Sequence, residues 1–373
     1  MKLGLVGYGK MGSEIFSLFL DSLSDTQFTV VSLYDNDKNR EAVEKNLAKQ
    51  LKRKKLTQET YEAKCKSFIF TDDYSELAGC DAVIECVFED MQLKKEIFAK
   101  IAEIVSEETL LLTNTSSLDI AEVFSDIPNI SRCLGMHFFY PVKLSGFVEL
   151  NYLPENSLDV LDRAEALITA TGKRALRFAG DYHIYLNQIL ALCISHSIRI
   201  AENTGVSVEQ FDFAVKDVFP YAGPFAVLDT VGLGLMAKNP EGFRLSRNKE
   251  LLAYGSNAMN NWLADGCPAE SGTFLDYMKG KQTESECHTA GYSEGILAMV
   301  LNASTYAAKE SGCDKEALLD AVADVLGIAE KLSVYYKDMG YDRIITELNT
   351  LKIDSGFEIY DAATKADFDE IYV

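Results

Sequence analysis

Gly7-Tyr8-Gly9-Lys10-Met11-Gly12 spaces its glycines as G-x-G-x-x-G, directly after the apolar run Leu3-Gly4-Leu5-Val6. A strand that ends in such a turn and opens a helix can cradle a dinucleotide pyrophosphate. Gly7 permits the tight turn, Gly9 lets the backbone approach the phosphates, and Gly12 lets the helix pack against the strand. Gly7, Gly9, Lys10, Met11 and Gly12 are therefore the expected phosphate contacts, at a helix start that offers free N–H groups. Asp35 follows the second apolar run, Phe28 to Tyr34. A carboxylate there accepts from both ribose hydroxyls and repels a 2′-phosphate. The next residue is Asn36 and not Arg, so NAD is expected in place of NADP. The alternative is that Asp35 only caps a strand or turn.

A second constellation carries acid–base chemistry. His137 ends the apolar run from Cys133, Glu149 comes twelve residues later at the end of Phe147-Val148-Glu149, and Asn114-Thr115-Ser116-Ser117 follows Leu110 to Thr113. In an open parallel sheet, ligands bind beyond the carboxyl ends of the strands. A histidine there can act as a general base near neutral pH. A carboxylate beside it fixes the tautomer and stabilises the imidazolium. The hydroxyls can bind a reacting oxygen. A core histidine, a helix-capping Ser117 and a solvated Glu149 are the structural alternatives.

The elements that must position these residues alternate. Strands are expected at Leu3 to Val6, Phe28 to Tyr34, Ala82 to Val87, Leu110 to Thr113, Cys133 to His137, Phe147 to Leu150 and Ala175 to Phe178. Helices fall between them at Ser13 to Leu23, Asn39 to Lys54, Leu93 to Val105 and Leu158 to Thr171. This βαβ rhythm predicts an α/β fold, an N-terminal Rossmann-type doubly wound sheet over residues 1–180. After about residue 180 the strand signals stop, and Ile184 to Asn203, Val208 to Val218, Leu297 to Ser311 and Lys315 to Leu326 read as helices.

The helical region repeats itself. Ala201, Gly205, Glu209, Ala214, Val215, Asp217 and Val218 recur 107 residues later as Ala308, Gly312, Glu316, Ala321, Val322, Asp324 and Val325. A fixed period across a helix–turn–helix is the mark of duplication; chance likeness of two amphipathic helix pairs is the alternative. The expected division is an all-α region of two tandem related copies, residues 181–290 and a degenerate 291–373.

The 373-residue chain is 47% hydrophobic and 25% charged, which suits a globular protein with two or three cores. A net charge of −21 argues against nucleic acid as partner. No apolar run suggests a membrane span, and no signal peptide is expected ahead of a first strand that begins at once. Eight cysteines form no C-x-x-C pair, so no metal site is expected and a reducing cytoplasm is.

Beyond these local readings, the sequence resembles the L-3-hydroxyacyl-CoA dehydrogenases, across nearly its full length. The stretches that carry the resemblance are GLVGYGKMGSEI, DAVIECVFEDMQLKKEIF, LTNTSSLDIAEV, GMHFFYPV with FVEL behind it, and AGPFAVLDTVGL. The resemblance implies that Ser116, His137, Glu149 and Asn187 are catalytic. It also implies that Asp35, Glu89, Lys94 and Asn114 contact the cofactor along with the glycines. His137 would take the proton of the 3-hydroxyl as hydride leaves for NAD, in fatty acid or butanoate metabolism. The basic run Lys49, Lys52, Arg53 would hold CoA phosphates, or is simply a solvated helix end. The alternatives to this function are a dehydrogenase of a non-CoA hydroxy acid and a catalytically silent NAD(H)-binding sensor. Relatives dimerise through the helical domain; a duplicated copy would cover that surface, so a monomer is expected and a dimer is the alternative.

The chain departs from the family pattern at the hinge, where Gly180 to Gln188 lacks the usual Pro-Gly and has Gln188 for an arginine, and at Tyr140, which stands for an asparagine. Tyr140 is expected to narrow the acyl pocket. His183 is expected to pack as a wall residue.

Overall fold

The computed structural model describes residues 1–180, 184–238, 249–279, 281, 291–355 and 362–373. Tyr182 and His183 of the hinge, with His288 and Cys287, lie outside these. The chain forms two compact units, Met1–His183 and Ile184–Val373.

The first unit runs β1 (Lys2–Val6), α1 (Lys10–Ser22), β2 (Gln27–Val31), α2 (Asn36–Lys52), α3 (Gln58–Lys66), β3 (Phe68–Thr71), β4 (Ala82–Glu85), α4 (Met91–Ala102), β5 (Leu110–Thr113), α5 (Ile120–Val123), β6 (Cys133–Phe138), β7 (Phe147–Tyr152), α6 (Leu158–Thr169) and β8 (Arg174–Ala179). The strands form one sheet in the order β3-β2-β1-β4-β5-β6-β7-β8. All neighbours are parallel except β6 and β7, which run antiparallel. The central strands are apolar on both faces because helices cover both. On one face Phe16 of α1 meets Phe28, Phe68 and Phe70 edge-on at 5.6–5.8 Å. On the other, Phe98 of α4 packs on Phe124 at 4.6 Å. The chain leaves β1 toward β2 on one side and toward β4 on the other, so a crevice opens beyond their carboxyl ends.

Three elements of this unit lie outside the expected set, α3, the one-turn α5 and the four-residue strand β3 at the sheet edge. β2 also stops at Val31, short of the expected Tyr34. The Ser32 side chain takes over there: its Oγ accepts the Tyr34 N–H at 3.3 Å and donates to the Tyr34 carbonyl at 3.1 Å. That local turn competes with the ladder and ends it. β7 extends to Tyr152, so Glu149 is mid-strand and fully buried, not solvated.

The second unit is helical: α7 (Tyr185–Thr204), α8 (Val208–Ala214), α9 (Pro224–Val231), α10 (Leu233–Lys238), α11 (Lys249–Ala264), α12 (Phe274–Lys279), α13 (Tyr292–Glu310), α14 (Lys315–Leu326), α15 (Leu332–Ser355, broken at Gly340) and α16 (Lys365–Tyr372). α7 and α13 are buried nearly all round, as central helices are. They start 107 residues apart, as do α8 and α14. Gly205 and Gly312 are both left-handed, at φ 71° and 77°. Ser207 and Asp314 cap the second helix of each pair with their side chains. The pairs interlock, since α7 packs on α13 and α14, and α13 packs on α8. Within α7, burial and the nearby Arg199 push His196 down to about 3, so this histidine is neutral. Among the described residues no helix is long and apolar enough to cross a membrane.

Candidate active site

The glycine turn forms as its spacing demands. Gly7 has φ +97°, and a side chain there would strike the Cys86 carbonyl at 2.6 Å. A Cβ on Gly12 would lie 2.1 Å from the Gly7 oxygen. Gly9 differs from both. Its backbone, at φ −78° and ψ −159°, suits any residue, and a Cβ there would meet none of the described residues within 4 Å. The chain itself gives Gly9 no reason to be glycine; a ligand in that space does. α1 begins there with no side chain capping its first turn, whereas Thr57, Asp90, Asp119 and Ser157 cap α3, α4, α5 and α6. Its N–H groups are open to a phosphate. These features fit a dinucleotide.

Asp35 lies beyond the end of β2, at the N-cap position of α2, and its side chain accepts no cap hydrogen bond from the helix. The Asn36 and Asn39 amides hold the Ser32 and Tyr34 carbonyls at 3.1 and 2.9 Å. The loop so built leaves the Asp35 carboxylate 64% exposed, with Lys38 against it at 3.1 Å. It remains open to ribose hydroxyls.

His137 and Glu149 are direct cross-strand partners in the β6–β7 pair. The imidazole Nδ1–H donates to Glu149 Oε2 at 2.8 Å, the tautomer that a carboxylate imposes. His137 is 4% exposed and Glu149 is 0% exposed. With Nδ1 engaged, Nε2 carries the lone pair. The Asn114 Oδ1 accepts the Phe138 N–H at 2.9 Å, which ties the turn after β5 to the strand that bears His137.

That turn is gathered around one carboxylate oxygen. Glu89 Oε1 accepts the Thr115 hydroxyl at 2.6 Å, the Ser116 and Ser117 N–H groups at 2.8 and 2.9 Å, the Ser117 hydroxyl at 3.0 Å and the Ser116 hydroxyl at 3.3 Å. Ser117 therefore serves this turn, and the cap of α5 is Asp119. Glu89 Oε2 lies 3.3 Å from the Lys94 ammonium. Burial alone would raise the Glu89 carboxyl; Lys94 and the hydrogen bonds outweigh it and hold Glu89 below the usual range. Lys94 is 1% exposed and sits closer to Glu85, at 2.7 Å. Glu85 is the residue that sequence reasoning missed. Its signal was a carboxylate closing the apolar run Ala82-Val83-Ile84, nine residues before Lys94.

Tyr140 follows the histidine strand with its ring under the Lys10 ammonium, 3.7 Å from the centroid. Glu14 of α1 accepts the Val142 N–H at 2.7 Å, so the helix after the glycine turn also braces the loop after His137. Lys49, Lys52 and Arg53 are exposed at the end of α2. Asn187 sits half-buried in the first turn of α7, in the second unit, and Gln188 beside it is fully buried.

Residues 2–182 match the family signature described as 3-hydroxyacyl-CoA dehydrogenase, NAD binding domain. The chain is 31% identical over 237 residues to 3-hydroxybutyryl-CoA dehydrogenase of Clostridioides difficile, covering 63% of this chain and 84% of that protein. It is 28% identical over 272 residues to the mitochondrial hydroxyacyl-coenzyme A dehydrogenase of Sus scrofa, covering 70% and 85%. The crystal structure of 3-hydroxybutyryl-CoA dehydrogenase from Escherichia coli K12 has the same fold over 100% of this chain and 98% of that one, with a TM-score of 0.83 at 18% identity. With the dinucleotide cradle, the chain therefore belongs to the 3-hydroxyacyl-CoA dehydrogenase family, oxidoreductases that use NAD.

Proposed function

We propose that this chain interconverts (S)-3-hydroxyacyl-CoA and 3-ketoacyl-CoA, as a step of fatty acid or butanoate metabolism. The observation that carries the reading is the buried His137–Glu149 pair, 2.8 Å apart and one strand from the Ser116 turn. Bound NAD supplies the hydride acceptor, and NADH the donor, for carbon 3 of the acyl chain. His137 Nε2 takes the proton of the 3-hydroxyl in oxidation and returns it in reduction. Glu149 holds the ring and balances the charge that forms on it. Ser116 and, by resemblance, Asn187 donate to the 3-oxygen, where charge develops. Lys49, Lys52 and Arg53 offer cations to the phosphates of CoA.

The test is turnover. The purified chain is mixed with NADH and acetoacetyl-CoA, and loss of the 340 nm NADH absorbance is followed. Oxidation of NADH is expected, with a KM for acetoacetyl-CoA that rises with salt as the phosphate contacts are screened. Failure with every 3-ketoacyl-CoA chain length, while NADH still binds, rejects the reading.

We also propose a monomer. The second helical copy keeps the architecture of the first but not its chemistry, since Asn187 corresponds to Glu294, which is paired with Arg343. Such a copy suits a role in covering the first. Sedimentation at a mass of 41.4 kDa is expected; a compact dimer would reject this. The cysteines among the described residues are free thiols, which suits a cytoplasmic enzyme.

A further inference from the structure

We propose that Glu85 is a positioning residue for the Ser116 hydroxyl, acting through Lys94 and Glu89; this rests on the dehydrogenase function proposed above. Glu85 closes β4 and is 0% exposed. Its Oε1 accepts the Lys94 ammonium and the Val87 N–H, both at 2.7 Å, and its Oε2 accepts the Thr113 hydroxyl at 2.7 Å. Thr113 is the last residue of β5, directly before Asn114. Glu85 thus grips both the start of the Ser116 turn and the lysine that faces the turn's anchor.

The distances rank the contacts. A buried ammonium needs a carboxylate, because an unpaired buried charge is costly. Lys94 has two within reach, Glu85 at 2.7 Å and Glu89 at 3.3 Å. Because Glu85 holds the short contact, Lys94 steadies the charge of Glu89 without drawing it out of the turn. Glu89 Oε1 then has five donors around it, more than its lone pairs can serve well. The longest is the Ser116 hydroxyl at 3.3 Å. That hydroxyl can turn to a substrate oxygen while the carboxylate stays satisfied by the other four. Remove Glu85, and Lys94 has only Glu89 to pair with. The ammonium and the turn then compete for one carboxylate, and the serine loses its set position.

The experiment is a double-mutant cycle in the full chain, with acetoacetyl-CoA and NADH as substrates. Glu85→Gln is expected to lower kcat about tenfold or more, since small misplacements cost that much. NADH affinity, read by fluorescence without acyl substrate, is expected to stay within about threefold. The distinguishing readout is non-additivity with Ser116→Ala. If Glu85 works through Ser116, adding Glu85→Gln to Ser116→Ala costs less than about threefold more. An unchanged kcat in Glu85→Gln, or losses that multiply in the pair, overturns the inference. If Glu85→Gln does not fold, Glu85→Asp, which keeps the charge but shortens its reach to Lys94 and Thr113, takes its place in the cycle, with the same outcomes. A wild-type chain that turns over while the cycle fails sinks only this inference. A wild-type chain without turnover sinks the proposed function, and this with it.

Discussion

His137→Gln is expected to lower kcat for acetoacetyl-CoA reduction about 10²–10⁴-fold, the range that a positioned general acid or base supplies. Glutamine has nearly the size of histidine and can still donate to Glu149, so the buried pair of β6 and β7 is not left with an orphaned carboxylate. What it lacks is a group that gives up and regains a proton. NADH affinity is expected to stay at the wild-type value, because the glycine turn and Asp35 are separate from the β6–β7 pair. Glu149→Gln is expected to lose a large part of the same factor. It keeps a hydrogen-bonding group 2.8 Å from Nδ1 but no charge to stabilise the imidazolium. Steady-state kinetics at saturating NADH with a parallel fluorescence titration read both. A kcat for His137→Gln within about threefold of wild type would remove His137 from the acid–base role.

The sequence showed that His137 and Glu149 were the right chemical types, but not how they meet. Twelve residues separate them, which places two groups at the ends of parallel strands far apart or near depending on the topology. They meet because β7 reverses and pairs antiparallel with β6, so that His137 falls opposite Glu149. A strand's direction is set by its connection and its neighbours, and nothing local in Phe147 to Tyr152 records it. Glu89, expected at the cofactor, also organises the Ser116 turn. Lys94 was expected there as well and is enclosed between two carboxylates. Such networks depend on which side chains a fold brings together across strands, which spacing does not encode.

Of the fold, the parts governed by local pattern were legible. The strand–turn–helix of the glycine motif, the apolar runs of the buried strands and the lengths of the long helices carry period and punctuation. α14 forms at the expected Lys315 and Leu326. The offset of 107 residues recurs in the structure, in the helix starts, the left-handed glycines and the N-caps. In the second unit α11 and the 24-residue α15 lay outside the expected helices although both are long; in the first unit the misses were short or decided by side-chain competition. β3 is an edge strand of four residues, and β2 was cut short by the hydroxyl of Ser32. The second cut moved Asp35 from a strand end into an asparagine-braced loop, yet left its carboxylate exposed.

Gly12→Ala and Gly9→Ala are expected to fail in opposite ways, and the pair tests the cofactor cradle more sharply than either alone. On helix propensity, alanine at Gly12 should gain about 1 kcal/mol, because the residue lies within α1. Geometry reverses the sign. The new Cβ would stand 2.1 Å from the Gly7 carbonyl oxygen, and that carbonyl cannot yield. Gly7 is held at φ +97° by the turn, and its N–H donates to the Val31 oxygen at 2.9 Å. A loss of about 1–3 kcal/mol in urea unfolding is expected, the cost of overpacking against fixed backbone. Gly9→Ala meets no atom of the described residues within 4 Å and needs no unusual backbone angle. Its stability is expected to stay within about 0.5 kcal/mol of wild type, while NADH binding weakens tenfold or more, about 1.4 kcal/mol, because the methyl group occupies the space the pyrophosphate needs. Wild-type NADH affinity in Gly9→Ala would show that the dinucleotide does not approach there. Lost stability in Gly9→Ala would show that the chain, and not the ligand, requires that glycine.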